Sequence, residues 1–220
     1  MSLIRQVPLV IQVSEQFRGR IESGEWPRGE RIPGEHQLAT ELGVSRGTVR
    51  EALRSLSLTG LLEPRVGDGT YVRATDEIGG VLLRDEITSL DHVFDARAGI
   101  EAAAARLAAQ RPSADGIKTL IAALEARDAA HDASDLAAFV AADTAFHRGI
   151  VEASGNPVLV RLYAAMGGLL SESIEQSAAF PEHPQLRAAH LDVFEAITNG
   201  DPDAAARASY GLIETVKQGA

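Results

Sequence analysis

The junction Gly43-Val44-Ser45 separates two amphipathic runs, and it constrains the fold more than any other feature of the chain. Upstream, Leu38, Ala39 and Leu42 supply one apolar helical face, and Gly43 stands where a left-handed residue ends a helix. Downstream, the Ser45 hydroxyl can accept a hydrogen bond from an otherwise orphaned amide in the next first turn, which makes it an N-cap. Val49, Ala52, Leu53 and Leu56 then recur at i, i+3, i+4 and i+7, an apolar face that must pack on a partner. Arg46, Arg50 and Arg54, spaced four apart, share another face. Two helices meeting at a short turn, the second with an outward arginine stripe, form a probe that fits the DNA major groove. The alternative is a structural three-helix module whose arginines are only a solvated surface.

After Gly60 the helical pattern stops, and Leu61-Leu62-Glu63-Pro64-Arg65-Val66-Gly67-Asp68-Gly69-Thr70-Tyr71-Val72 follows, with strand-like ends around a Gly-Asp-Gly tip. This predicts a hairpin, or wing, able to lie along the DNA backbone or the neighbouring minor groove. On these residues, positions 9 to 73 resemble the winged helix-turn-helix of the GntR family of bacterial transcription regulators. The resemblance implies base and phosphate contacts at Ser45, Arg46, Gly47, Thr48 and Arg50, and at Gly67 in the wing; Arg54 and Arg65 complete the set. The family often carries arginine where this chain has His36, a departure that weakens the contact or makes it pH-sensitive. Arg46 and Arg50 are the candidates for bonding O6 and N7 of one guanine together, worth roughly 1–3 kcal/mol of discrimination. Ser45 and Thr48 suit phosphate oxygens, which set register without reading sequence.

A length of 220 residues allows two domains, each with its own core. Cysteine is absent, which excludes a disulfide framework, Cys-type zinc sites and thiol catalysis, and fits a reducing cytoplasm. No stretch reaches eighteen apolar residues and the N-terminus lacks an apolar signal core, so a cytoplasmic protein with no membrane partner is expected. The net charge of −10 is unevenly spread. Residues 1–75 hold 10 arginines against 9 acids, whereas residues 76–220 hold 11 bases against 22 acids. A near-neutral reader with clustered arginines can bind phosphates locally, while the acidic remainder is repelled by the duplex. The polar stretch Arg73-Ala74-Thr75-Asp76-Glu77-Ile78, closed by Gly79-Gly80, reads as a linker. The predicted organisation is a reader domain at 1–75, a linker at 76–83 and a second domain at 84–220.

The second domain reads as helical throughout, with amphipathic segments near 87–110, 113–130, 134–154, 157–178, 184–199 and 201–217. With about 5% aromatics and alanine-rich faces, these should pack closely as an antiparallel bundle, which houses ligands between facing helices. The fold class is therefore mainly α, a winged helix-turn-helix followed by an all-α bundle. This half resembles the FCD effector domain of the FadR-type branch of the same family. The resemblance rests on Phe94-Asp95-Ala96-Arg97-Ala98-Gly99-Ile100-Glu101, Asp143-Thr144-Ala145-Phe146-His147, Ser154-Gly155-Asn156, and His190 with Ala196-Ile197-Thr198-Asn199-Gly200-Asp201.

Asp143 and His147, four apart, lie on one helix face where both can reach one cation. The resemblance implies a divalent metal held by this pair and two later histidines, the first at His190; the second position is Leu212. Three ligands can still hold zinc, nickel or manganese with an open position for water or an effector carboxylate. Alternatively, Asp143, His147 and His190 form a buried polar cluster that touches an organic effector directly. The resemblance also implies that Arg97 faces the effector, where its fork can clamp an organic acid; the alternative is an ion pair with Glu101 one turn on. His92, His131 and His183 show no spacing logic and are expected at the surface.

The function expected is a homodimeric repressor released from an inverted-repeat operator by a small organic acid, and not an enzyme. A metal-dependent hydrolase using the open Asp/His/His site is the rival, but no further carboxylate is spaced to act as its general base. A pyridoxal-phosphate domain is far larger than this second half, in which only Lys118 and Lys217 offer a Schiff-base amine. An architectural DNA-binding protein leaves the bundle's polar cluster without a purpose.

Overall fold

The computed structural model describes residues 7–84, 89–167, 169–170, 173–174 and 184–219. The chain divides into two compact units, Met1–Glu86 and Ile87–Ala220.

The first unit contains α1 (Leu9–Glu22), α2 (Glu35–Leu42), α3 (Arg46–Leu58), β1 (Leu62–Arg65), β2 (Gly69–Val72) and α4 (Glu77–Arg84). The junction behaves as its residues dictate. Gly43 closes α2 at φ 64°, and the Ser45 hydroxyl accepts from the Thr48 amide at 3.1 Å to cap α3. Val49, Ala52, Leu53 and Leu56 are buried with Val13, Phe17 and Ile21 of α1 and Leu38 of α2. Phe17 and Trp26 meet with ring centroids 5.2 Å apart. Each such side chain contributes about 1.5–3 kcal/mol on burial.

The wing pairs β1 with β2 in antiparallel register, Leu62 opposite Val72 and Arg65 opposite Gly69. Its tip is thus Val66-Gly67-Asp68, with Gly67 left-handed at φ 78°. A further pairing was not foreseen: the Ile32 amide donates to Thr70 O at 2.9 Å and the Gly29 amide to Val72 O at 2.8 Å, fastening the chain before α2 to β2.

The segment expected as a linker is helical instead. The Asp76 side chain accepts from the Gly79 amide at 2.9 Å and so starts α4, and Arg18 of α1 pairs with Glu77 at 2.5 Å. Of Gly79-Gly80, the pair that closed the expected linker, Gly80 serves close packing: a Cβ at Gly80 would collide with Thr59 O, and one at Gly60 with Gly80 O.

The second unit contains α5 (Leu90–Gln110), α6 (Ala114–Asp132), α7 (Leu136–Ala153), α8 (Pro157–Ala165), α9 (Pro184–Thr198) and α10 (Pro202–Gly219). Side-chain oxygens cap five of them: Ser89 opens α5, Ser113 opens α6, Asp135 opens α7, Asn156 opens α8 and Asp201 opens α10. α8 ends at Ala165, earlier than the predicted 178, and much of the remainder lies outside the described residues. α6 and α7 run antiparallel and close. A Cβ at Gly149 would meet Leu120 Cδ2 at 3.1 Å, and one at Gly116 would meet Ala153 Cβ at 3.2 Å. α5 and α10 are likewise antiparallel, with Phe94 and Ala98 against Ile213 and ion pairs Asp95–Lys217 and Arg106–Asp203 along the seam. No helix among the described residues is long and apolar enough to cross a membrane.

Candidate nucleic-acid interface and buried polar centre

On the first unit, the solvent face of α3 carries Arg46, Arg50 and Arg54, all exposed, with Gly47 exposed beside them. His36 is exposed in the first turn of α2. The Ser45 and Thr48 hydroxyls lie 2.9 Å apart, so both sit at the start of α3, where amide dipoles favour a phosphate oxygen. Arg50 is not free. Its Nε donates to Glu35 at 3.1 and 3.2 Å, and its Nη2 at 2.8 Å. That bond holds the Glu35 carboxyl below its ordinary range. In the wing, the Arg65 guanidinium stacks 4.0 Å from the Tyr71 ring centroid, and Tyr71 OH donates to Asp68 at 2.8 Å. Gly67 sits at the tip, with nothing near the place where a Cβ would stand.

The second unit encloses a polar centre. Asp143 and His147 of α7 and His190 of α9 offer ligand atoms within 4.8 Å of one another, all buried. His147 Nε2 is 3.5 Å from Asp143 Oδ2. His190 Nε2 is 3.2 Å from Asp143 Oδ1 without the alignment of a hydrogen bond. The other imidazole nitrogens are committed. His147 Nδ1 lies 2.6 Å from Glu101 Oε2, and His190 Nδ1 lies 2.7 Å from the Leu186 carbonyl oxygen. A carbonyl and an ionised carboxylate only accept, so both Nδ1 atoms carry protons. When neutral, each ring turns an Nε2 lone pair toward the Asp143 carboxylate. Lone pairs facing a carboxylate are unfavourable unless a cation lies between them, and a tied Nδ1 is the usual support of a metal-binding imidazole. The donor set therefore fits a divalent ion.

Sequence reasoning missed three members of this centre. Arg127 of α6 donates through Nε to Asp143 Oδ1 at 2.6 Å, Tyr163 of α8 donates to Glu101 Oε1 at 2.7 Å, and Ser173 Oγ accepts from Arg97 Nη1 at 3.1 Å. Arg97, fully buried, makes the intra-bundle ion pair with Glu101 at 3.0 Å. Burial alone would raise the Glu101 pKa, but His147 and Arg97 outweigh it and hold the carboxyl at about 2. Burial opposes ionisation of Asp143 too, yet the His147 and His190 rings beside it keep it well below the ordinary aspartate value. For His147, burial is outweighed by Glu101 and the pKa rises; for His190, burial prevails and it falls. Leu212 is a buried apolar side chain of α10 and supplies no donor. His92 is exposed, as expected; His131 is instead half-buried beside Asp132, and His183 lies outside the described residues.

Both halves match known families. Residues 9–72 match the model of bacterial regulatory proteins of the gntR family, and residues 92–215 match that of the FCD domain. The chain belongs to the GntR family. The putative L-lactate dehydrogenase operon regulatory protein of Escherichia coli K12 is 32% identical, covering 93% of this chain and 83% of that protein. The HTH-type transcriptional repressor NanR of Enterobacter sp. strain 638 is 30% identical, covering 93% and 82%. Among solved structures, Streptococcus agalactiae GntR aligns with a TM-score of 0.59 and 28% identity, over 96% of this chain and all of that one. This GntR protein, with its FCD domain, is a ligand-responsive DNA-binding transcription regulator and not an enzyme. The hydrolase alternative finds no support among its relatives.

Proposed function

We propose that this regulator is a homodimeric repressor that holds an inverted-repeat operator through α3 and the wing, and releases it when a small organic acid enters the second unit. A two-fold protein matches a two-fold site. Arg46, Arg50 and Arg54, with Ser45, Gly47, Thr48, His36, Arg65 and Gly67, supply the DNA face. The observation that carries the effector half is the orientation of the two imidazoles, whose Nδ1 atoms are tied while both Nε2 atoms face Asp143.

In this reading Asp143, His147 and His190 hold one zinc, nickel or manganese ion, which when bound supplies an electrophilic point for an oxyanion. Charge balance selects the effector class. With neutral imidazoles, Arg97 and Arg127 offset Glu101 and Asp143, so the centre is neutral without a metal. A divalent ion adds a buried excess of positive charge, which is costly unless an anion joins it. A carboxylate meets that need. The relative named for an L-lactate dehydrogenase operon makes L-lactate the first acid to test, followed by other hydroxy acids, sugar acids and amino acids. Release requires the acid to favour one of two states of the regulator.

Elemental analysis of the tag-free protein, beside His147→Ala and His190→Ala, tests the metal. Near-stoichiometric metal in the parent, lost in both variants, is the expected result. Metal absent even after incubation with zinc, nickel and manganese would sink it. The Arg127–Asp143 bond then favours a second reading, an organic-ligand site with the guanidinium as its cation. Operator release is tested by titrating the acids against a duplex selected from a random pool; unchanged affinity under saturating acid would end the coupling.

A further inference from the structure

Glu35 opens α2 and Arg50 lies in the second turn of α3, so the helix-turn-helix itself brings them together. The contact is side-on. Glu35 takes the Nε–H and one hydrogen of Nη2, at 2.8 to 3.2 Å. One hydrogen of each Nη then points away from the contact at the end of the guanidinium, and the Arg50 side chain remains 59% exposed. Those outer hydrogens form the parallel fork that matches O6 and N7 of guanine. Among the described residues, neither Arg46 nor Arg54 has an ion-pair partner, so the three arginines of the stripe are not equivalent.

The geometry points to Glu35 as a positioning residue for DNA readout: it braces Arg50 so that the outer edge of the guanidinium bonds one guanine in each operator half-site. This rests on α3 being the recognition helix. The brace fixes the plane of the fork before DNA arrives, and it removes the side-on edge that would let the same arginine wander to a phosphate. Arg46 and Arg54 lack a brace and can follow the backbone. Reading at a single base pair is therefore concentrated on Arg50, while the carboxylate touches no base. Competition is the contrary role, in which Glu35 merely masks positive charge from the duplex.

The test is selection from a random duplex pool with the full-length protein, followed by affinities for the selected site and its single-base variants. Wild type should enrich a half-site in which one guanine is lost with Arg50→Ala. Glu35→Gln and Glu35→Asp, the second keeping the charge on a shorter arm, should lower preference at that same guanine on the order of fivefold to tenfold. Other positions, the far-ultraviolet spectrum and the melting temperature should stay as in wild type. Base preferences unchanged in both Glu35 variants, while Arg50→Ala erases one, would overturn the brace and leave the recognition helix standing. Uniformly tighter binding to every duplex in Glu35→Gln would show competition and also overturn it. Failure of wild type to enrich any site would remove the recognition helix, and the brace with it.

Discussion

Glu101 accepts from Arg97 and Tyr163 on one oxygen and from His147 on the other, and it is wholly buried. Removing one partner of a buried charge costs more than the pair contributes, because the survivor is stranded. Arg97→Ala should therefore destabilise the second unit by about 3 kcal/mol in urea unfolding. Tyr163→Phe, which deletes one donor and keeps the ring, should cost about 1–3 kcal/mol. Equal, negligible effects would mean that water replaces these donors. Of this centre, the Asp143/His147 pair and the Arg97/Glu101 pair were legible because each spans one helical turn. Arg127, Tyr163 and the second role of Glu101 were not. They reach their partners across 16, 62 and 46 positions, distances over which a single sequence holds no periodic signal.

Helix starts were legible for the opposite reason: a cap is a contact over two or three residues. Ser45 caps α3 as predicted, and Ser113 and Asn156 cap the helices that follow them. Ser45→Ala should cost about 1 kcal/mol, seen as earlier melting of the first unit, and Ser45→Asp should largely restore it. The helix at 77–84 was illegible because two adjacent glycines signal a break, while Gly80 is used here for close approach to another backbone. Gly80→Ala should destabilise the first unit by about 1–3 kcal/mol through overpacking. Wild-type stability in that variant would show that α4 does not need its seat against Gly60.

For the whole molecule, binding of cation and acid should be linked and reciprocal, each tightening the other by the same factor. Calorimetric titration of L-lactate with and without zinc, and of zinc with and without L-lactate, measures both directions; affinities unchanged by the other ligand would mean independent sites. Ligand at a hundredfold its dissociation constant should stabilise the second unit by about 2.7 kcal/mol, visible as a later melting step. The seat of α4 bears on how such a signal travels. Gly60 follows the C-terminal cap of α3, and both Gly60 and Thr59 touch Gly80 through backbone alone. Backbone on backbone has no rotamer to yield. A displacement applied to α4 would therefore press on the backbone at the end of α3 rather than on side chains able to yield.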